Sequence, residues 1–328
     1  MPMLYGMSPI SYLFTNDGKG NFSTVDSWLG TSVFDNITKV RPGMIKDAAW
    51  VDVDEDGRLD LVVVGEWMPI TILLQQADHT FKNATIEYGL TKTRGWWNTI
   101  YTDDFDGDGD DDLVVGNQGL NFRIHATPDA PLKMYVGDFD SNGGTDHILV
   151  YNNNGKNYPL PSRDQLVKQI PSLKKYFLSY KDYRDVALED IITPQQKGNS
   201  TEMIVDSFTS LYLRNNGQSF TPIPLPFEAQ LFPIFAIHSE DLDGDGFKDL
   251  MLAGNLTATQ PDLGPDDGGI GLVMKGNGKG QFTPLTAMKS GFFVPGEGRE
   301  IVAVKDSRGK KIYLVSRNND TVLSFSKK

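Results

Sequence analysis

Short apolar runs recur along the chain, at Leu61 to Val64, Leu113 to Val115, Ile148 to Val150 and Leu250 to Leu252. They are rich in β-formers and too short for helices, so each predicts a strand. A second recurring piece is a strand, an Asn/Gly turn and a further strand. It appears as LFTNDGKGNF from Leu13, YNNNGKNY from Tyr151, LRNNGQSF from Leu213 and MKGNGKGQF from Met274, with a worn copy at Leu74 to Phe81. The two pieces alternate. An inner strand pair followed by an outer hairpin makes a four-stranded antiparallel unit of about 40 to 50 residues, the size of a propeller blade.

The clearest unit runs from Ala48 to Ile86, and a GLTKTRGWW connection leads to a second from Asn98 to the neighbourhood of Ile124. The period then changes. Between Ser162 and Ile192, Leu166, Ile170, Leu173 and Phe177 fall at helical spacing, with Ser162 as N-cap and Pro171 opening a second helix. This predicts a helical insertion over 162–192 within a third blade, whose outer hairpin resumes at Ser207 to Pro222, while the second blade is short of outer strands. A fourth unit spans Pro233 to Met288, and Arg299 to Phe325 supplies three more strands. The expected fold is all-β, one propeller domain over residues 1–328 with five to seven blades, closed by pairing the two chain ends in one blade.

Each apolar run is preceded by an acidic loop. Asp52, Asp54, Asp56 and Asp60 stand at positions one, three, five and nine of the first. Asp104, Asp106, Asp108 and Asp112 repeat the pattern, as do Asp138, Asp140, Asn142 and Asp146, and then Asp241, Asp243, Asp245 and Asp249. Glycine occupies position six in all four loops. Hard oxygen donors at alternate positions around a sharp turn suit calcium, whereas magnesium demands stricter octahedral geometry and keeps its water. The backbone carbonyl at position seven, from Arg58, Asp110, Gly144 or Phe247, is the expected extra ligand. An EF-hand needs a glutamate at position twelve and flanking helices, but Val63, Val115, Leu149 and Leu252 stand there. Turn propensity alone explains one or two acids per loop, not a repeated set of mutually repelling carboxylates. A structural calcium between two strands is the expectation, with three or four ions in all.

Net charge follows from these loops. The chain carries −12, the sixteen ligand positions contribute −15, and four divalent ions would bring the whole to −4. A basic face for nucleic acid is therefore not expected. Nor is insertion into a membrane, since no apolar stretch is long enough. With no cysteine, disulfide scaffolds, zinc-thiolate sites and thiol nucleophiles are excluded. Calcium availability places such a chain outside the cell, at its surface or in the periplasm. The first residues lack a basic n-region, so the chain is expected to be the mature or downstream part of a longer one.

The D-x-D-x-D-G-x-x-D-L pattern with its Asn/Gly hairpins resembles the FG-GAP and VCBS repeat families, which build integrin α-like propellers with calcium in these loops. RPGMIKDAAWVDVDEDG, VVVGEWMPI, RGWWN, VGNQGLN, YVGDFD, SRDQLVKQIPSLKKYF and FEAQLFPI are further similar to the C-terminal propeller of bacterial surface proteins related to cartilage acidic protein. The resemblance implies fold and calcium sites, and hardly any activity. Two departures stand out. Asn142 and Gly144 should make the third loop the weakest site, and no metal is expected near Thr201 or Arg299. Asn-x-Ser/Thr triplets at Asn36, Asn83, Asn199 and Asn255 are read as chance in a bacterial chain.

The expected function is a non-enzymatic binding or adhesion module that recognises a protein or glycan at one propeller face. The alternative is a carbohydrate-binding or carbohydrate-active propeller, with Trp67, Trp96 and Trp97 stacking on sugars, although buried aromatics are the commoner reading. His79, His125, His147 and His238 are isolated, and no nucleophile elbow, phosphate loop or HExxH occurs. Lys168, Lys174, Lys175 and Lys181 form the one positive region, read as a solvated helix face ahead of a partner site.

Overall fold

The computed structural model describes residues 5–25, 28–29, 41–259 and 264–327; Asn36 lies outside them. Among these the chain is almost wholly antiparallel β, with short helices. β1 (Phe14–Asn16) and β2 (Phe22–Thr24) form an exposed hairpin. β3 (Met44–Val51), β4 (Asp60–Met68), β5 (Thr71–Gln75) and β6 (Phe81–Asn83) make the first sheet in sequence order, and β7 (Gly95–Trp96) pairs with the far end of β4.

β8 (Thr99–Asp103) and β9 (Asp112–Gly116) open a second sheet that the chain then leaves. β10 (Leu132–Gly137), β11 (Asp146–Asn153), β12 (Lys156–Pro159) and β13 (Thr201–Val205) build a sheet of their own, with β13 on the free side of β10. Only afterwards do β14 (Leu211–Asn215) and β15 (Phe220–Pro224) complete the second sheet, Leu211 pairing with Val115 and Leu213 with Leu113. β16 (Ile234–Glu240), β17 (Asp249–Gly254), β18 (Leu272–Gly276) and β19 (Phe282–Leu285) form the next sheet, and β20 (Gly298–Lys305), β21 (Lys311–Arg317) and β22 (Leu323–Phe325) the last.

Two expectations are corrected here. The hairpin after Ser207 belongs to the second sheet and not the third, so the second is complete and the third is an insertion within it. Local spacing cannot reveal this, because a strand pairs by edge complementarity and not by sequence distance. The chain ends do not share a sheet among the described residues either: β1 and β2 pair only with each other, and β20 to β22 stand as a separate three-stranded sheet.

The continuous apolar runs are explained by burial on both faces. Val62 and Val64 of β4 pack with Leu113 and Val115 of β9, while Leu61 and Val63 face Trp28 and Phe81 on the other side. Val114 of β9 packs with Leu250 and Leu252 of β17, and Met251 and Ala253 of β17 with Ile301, Tyr313 and Val315 of the last sheet. The sheets thus stack face to face, and their leading strands adjoin in the order β3, β8, β16, β20. Each fully buried Val or Leu contributes about 1.5 to 3 kcal/mol, so these second strands hold the stack together.

The helical pattern over 162–192 is realised. α1 (Arg163–Gln169) starts at Ser162, whose backbone N–H donates to Gln165 Oε1 (2.7 Å) in a capping box. Pro171 opens a tight helical turn to Lys175, and α2 (Tyr180–Tyr183) and α3 (Pro194–Asn199) follow. Leu166, Ile170, Leu173 and Phe177 bury against Tyr135, Phe139, Ile148 and Val150 of the inserted sheet. Its opposite face, through Leu149, Met134 and Val205, packs with Trp67 and Phe208. Arg94 locks this junction, donating from Nε and Nη2 to the buried Asp206 carboxylate at 2.8 and 2.7 Å.

Candidate metal centres

All four acidic loops are the same excursion. Each leaves the end of one strand and returns with its position-nine aspartate as the first residue of the next, giving the pairs Val51–Asp60, Asp103–Asp112, Gly137–Asp146 and Glu240–Asp249. The position-one aspartate accepts from two loop amides: Asp52 from Asp56 and Gly57, Asp104 from Gly107 and Gly109, Asp138 from Asn142 and Gly143, and Asp241 from Gly244 and Gly246. At position five, Asp56, Asp108, Asn142 and Asp245 accept from the amides of Arg58, Asp110, Gly144 and Phe247. These turns hold the position-one and position-five side chains over the loop backbone.

The position-nine aspartates do a second task. Asp60, Asp112, Asp146 and Asp249 are buried. One oxygen accepts from the position-two amide, of Val53 (2.9 Å), Phe105 (3.3 Å), Phe139 (2.9 Å) or Leu242 (2.9 Å). In three sheets the other oxygen accepts from the last residue of the third strand, Gln75 (2.7 Å), Asn215 (2.7 Å) or Gly276 (2.9 Å). Asp112 also receives the Tyr212 hydroxyl at 2.7 Å. Burial pushes the Asp112 carboxyl up to about 6 and raises Asp60, Asp146 and Asp249 as well.

Carboxylate oxygens gather within 4.8 Å of one another in each loop: those of Asp52, Asp54 and Asp56; of Asp104, Asp106 and Asp108; of Asp138, Asp140 and Asp146; and of Asp241, Asp243 and Asp249. These donors are hard oxygens, and Asp106 Oδ1 is buried with no hydrogen-bond partner, an orphan that a cation would satisfy. The residues could therefore hold a divalent metal ion. Such an ion would supply charge neutralisation and a crosslink between loop positions, a structural chemistry.

Basic side chains already lean on three of the loops. Arg58 pairs with Asp56, Arg214 with Asp106 (2.8 Å), and Lys275 with both Asp243 and Asp245, the latter at 2.9 Å. For the third loop, which has one acid fewer, the described residues show no such pair. Glu55 and Asp110 bring the first two loops together, and the hydrogen bond and charge of Asp110 raise the Glu55 carboxyl. Arg214, Lys275 and Tyr212 come from the third strands of their sheets, beyond the reach of a loop motif. Position four was also legible only in part: Glu55 (φ 56°) and Ser141 (φ 62°) are left-handed like Gly107 and Gly244 in the same place.

Trp67 and Trp97 are buried and Trp96 is half-buried. Trp97 is buried with its indole N–H on the Thr93 carbonyl (2.9 Å), Trp67 donates to the Tyr5 hydroxyl (2.9 Å), and Trp96 packs edge-on against Trp67 and Phe208. His147 is buried and donates to the Tyr5 carbonyl (2.7 Å), His238 lies edge-on to Tyr101 and Tyr313, and His79 and His125 are exposed.

Loop, strand and loop in this order decide one comparison. Residues 52–115 match the family model of the FG-GAP-like repeat. The matched stretch holds the first two acidic loops and runs from the first of them into β9. No curated protein matches the chain. Among solved structures, the V. cholerae biofilm matrix protein Bap1 aligns with 98% of this chain and 69% of its own, at 10% identity and a TM-score of 0.33.

Proposed function

We propose that this chain is a calcium-binding, propeller-like adhesion module of an exported or cell-surface protein, acting without catalysis and recognising a protein or glycan through loops at one end of its sheet stack. The observation that carries this reading is the repeated loop. Four copies hold three carboxylate oxygens within 4.8 Å, and each loop ends on a buried aspartate hydrogen-bonded to backbone amides, which in the third and fourth loops is one of the three. Carboxylates packed this way are costly unless a cation joins them, and four equivalent centres serve a scaffold better than a reaction. The FG-GAP-like repeat match supports the same assignment. Among the described residues no helix is long and apolar enough to cross a membrane.

Metal analysis and thermal unfolding test it, with calcium, with magnesium and after chelation. About three or four bound calcium ions are expected, with the melting temperature falling by many degrees on chelation and magnesium failing to restore it. A chain that binds no calcium, or melts identically without it, would falsify the metal half of the reading.

A further inference from the structure

The segment from Arg163 to Arg184 carries six basic residues against two acidic ones, in a chain of net charge −12, so the remainder stands at −16. Its acids are engaged locally: Asp164 accepts from the Tyr180 hydroxyl (2.9 Å) and Arg163, and Asp182 caps α2 through Ser179. Lys168, Lys174, Lys175 and Lys181 are exposed. None of them is among the ion pairs of the described residues. Beside them three large apolar side chains face solvent, Tyr176 (65%), Leu178 (75%) and Tyr180 (58%).

This surface is anchored to the inserted sheet. Leu173 and Phe177 anchor it in the core of the inserted sheet, and Arg163 holds the backbone by donating to the carbonyls of Phe177 (2.7 Å) and Leu178 (3.1 Å). The Lys175 ammonium lies 4.8 Å from the Tyr176 ring centre, and the Arg163 guanidinium 6.0 Å from that of Tyr180. Exposed rings flanked by cations match a polymer whose sugar rings offer C–H faces and whose carboxylates offer charge.

We infer that this basic, aromatic ridge binds an anionic polysaccharide, one bearing carboxylates on its sugar rings. The inference deepens the adhesion-module reading, on which it rests, by naming the ligand class and placing it on the insertion and not on the acidic loops. A narrow polymer touches the ridge alone. A charged bilayer would press a broad negative plane against a molecule whose remainder carries a net charge of −16, and screening acts over only about 8 Å at physiological salt.

The test uses the whole chain in calcium-containing buffer with two polymers on the same glucan backbone, carboxymethylcellulose and the neutral hydroxyethylcellulose. Carboxymethylcellulose should bind with an affinity that falls as salt rises, and hydroxyethylcellulose much more weakly. Lys174→Ser/Lys175→Ser/Lys181→Ser should weaken binding by about tenfold or more and flatten the salt dependence. Tyr176→Ala should weaken it by about three- to tenfold and leave the salt dependence unchanged. All these side chains are exposed, and unchanged melting temperatures would certify the fold. Equal binding of both polymers, binding unaffected by the lysine variant, binding of neither polymer, or binding only to phosphatidylserine vesicles would each overturn the inference. Binding that survives the lysine changes but vanishes on chelation would leave the adhesion module standing and move its site to the loops.

Discussion

Arg214 and Lys275 occupy the same place in their sheets, one residue before the amide that the position-nine aspartate holds, yet the first sheet has the buried Leu74 there. The loops thus differ in how much built-in positive charge an arriving ion meets. Lys275, touching two ligand residues, must be displaced or share the site. Lys275→Met should raise calcium affinity at the fourth loop by a factor on the order of five to ten, since the pair is partly exposed and screened. Calorimetric titration resolving the individual sites reads this, and an unchanged isotherm would remove Lys275 from the account. Glu55 bears two burdens, a left-handed backbone and the neighbouring Asp110 carboxylate. Glu55→Gly should raise stability despite the added freedom of the unfolded state, seen as a higher midpoint in denaturant melts; a lower midpoint would mean that the Glu55 side chain itself supports the loop. At this scale the acids were fully legible in the sequence, because their spacing is the motif. The cations were not, since Arg214 stands more than a hundred residues beyond Asp106 and reaches it only through the β9–β14 pairing.

The second strands are the elements on which the stack depends, and they are buried on both faces, which leaves no tolerance where they cross their neighbours. Gly254 ends β17 beside the backbone of Pro233, and a Cβ there would lie 1.7 Å from the Pro233 carbonyl oxygen. Gly254→Ala should therefore cost about 3 kcal/mol or more, because the obstacle is main chain that cannot rotate away. Thermal unfolding checks it, with Gly217→Ala, where an added Cβ meets nothing within 4 Å, as a comparison limited to its φ of 77°. A melting temperature for Gly254→Ala equal to that of the parent would show that β16 shifts freely. Strand positions and the capped helix α1 were readable locally, from DLVVVG, DLVVG and SRDQLVKQ. Which strands pair was not, because antiparallel edges carry no address beyond shape and burial.

For the molecule as a whole, the nested topology sets an order of assembly. β3 to β6 and β16 to β19 close through neighbours in sequence, but β9 waits for β14 across the entire inserted sheet and its helices. Long-range closure is slow relative to local hairpins. Pulsed hydrogen exchange during refolding should therefore protect amides of β4 and β17 before those of β14, and simultaneous protection would indicate that the second sheet forms without waiting. The position-nine aspartates bear on a longer timescale. Asp60, Asp112 and Asp249 are gripped by main-chain amides of two further segments, and no substitution of a neighbouring side chain abolishes that grip. Descendant repeats can accordingly lose their ion one outer residue at a time while their strands stay joined. Loop three differs on both counts, with the neutral Asn142 at position five and Asp146 holding the Phe139 amide of its own loop. Drift among such copies would yield propellers whose blades keep their outline long after their chemistry has diverged.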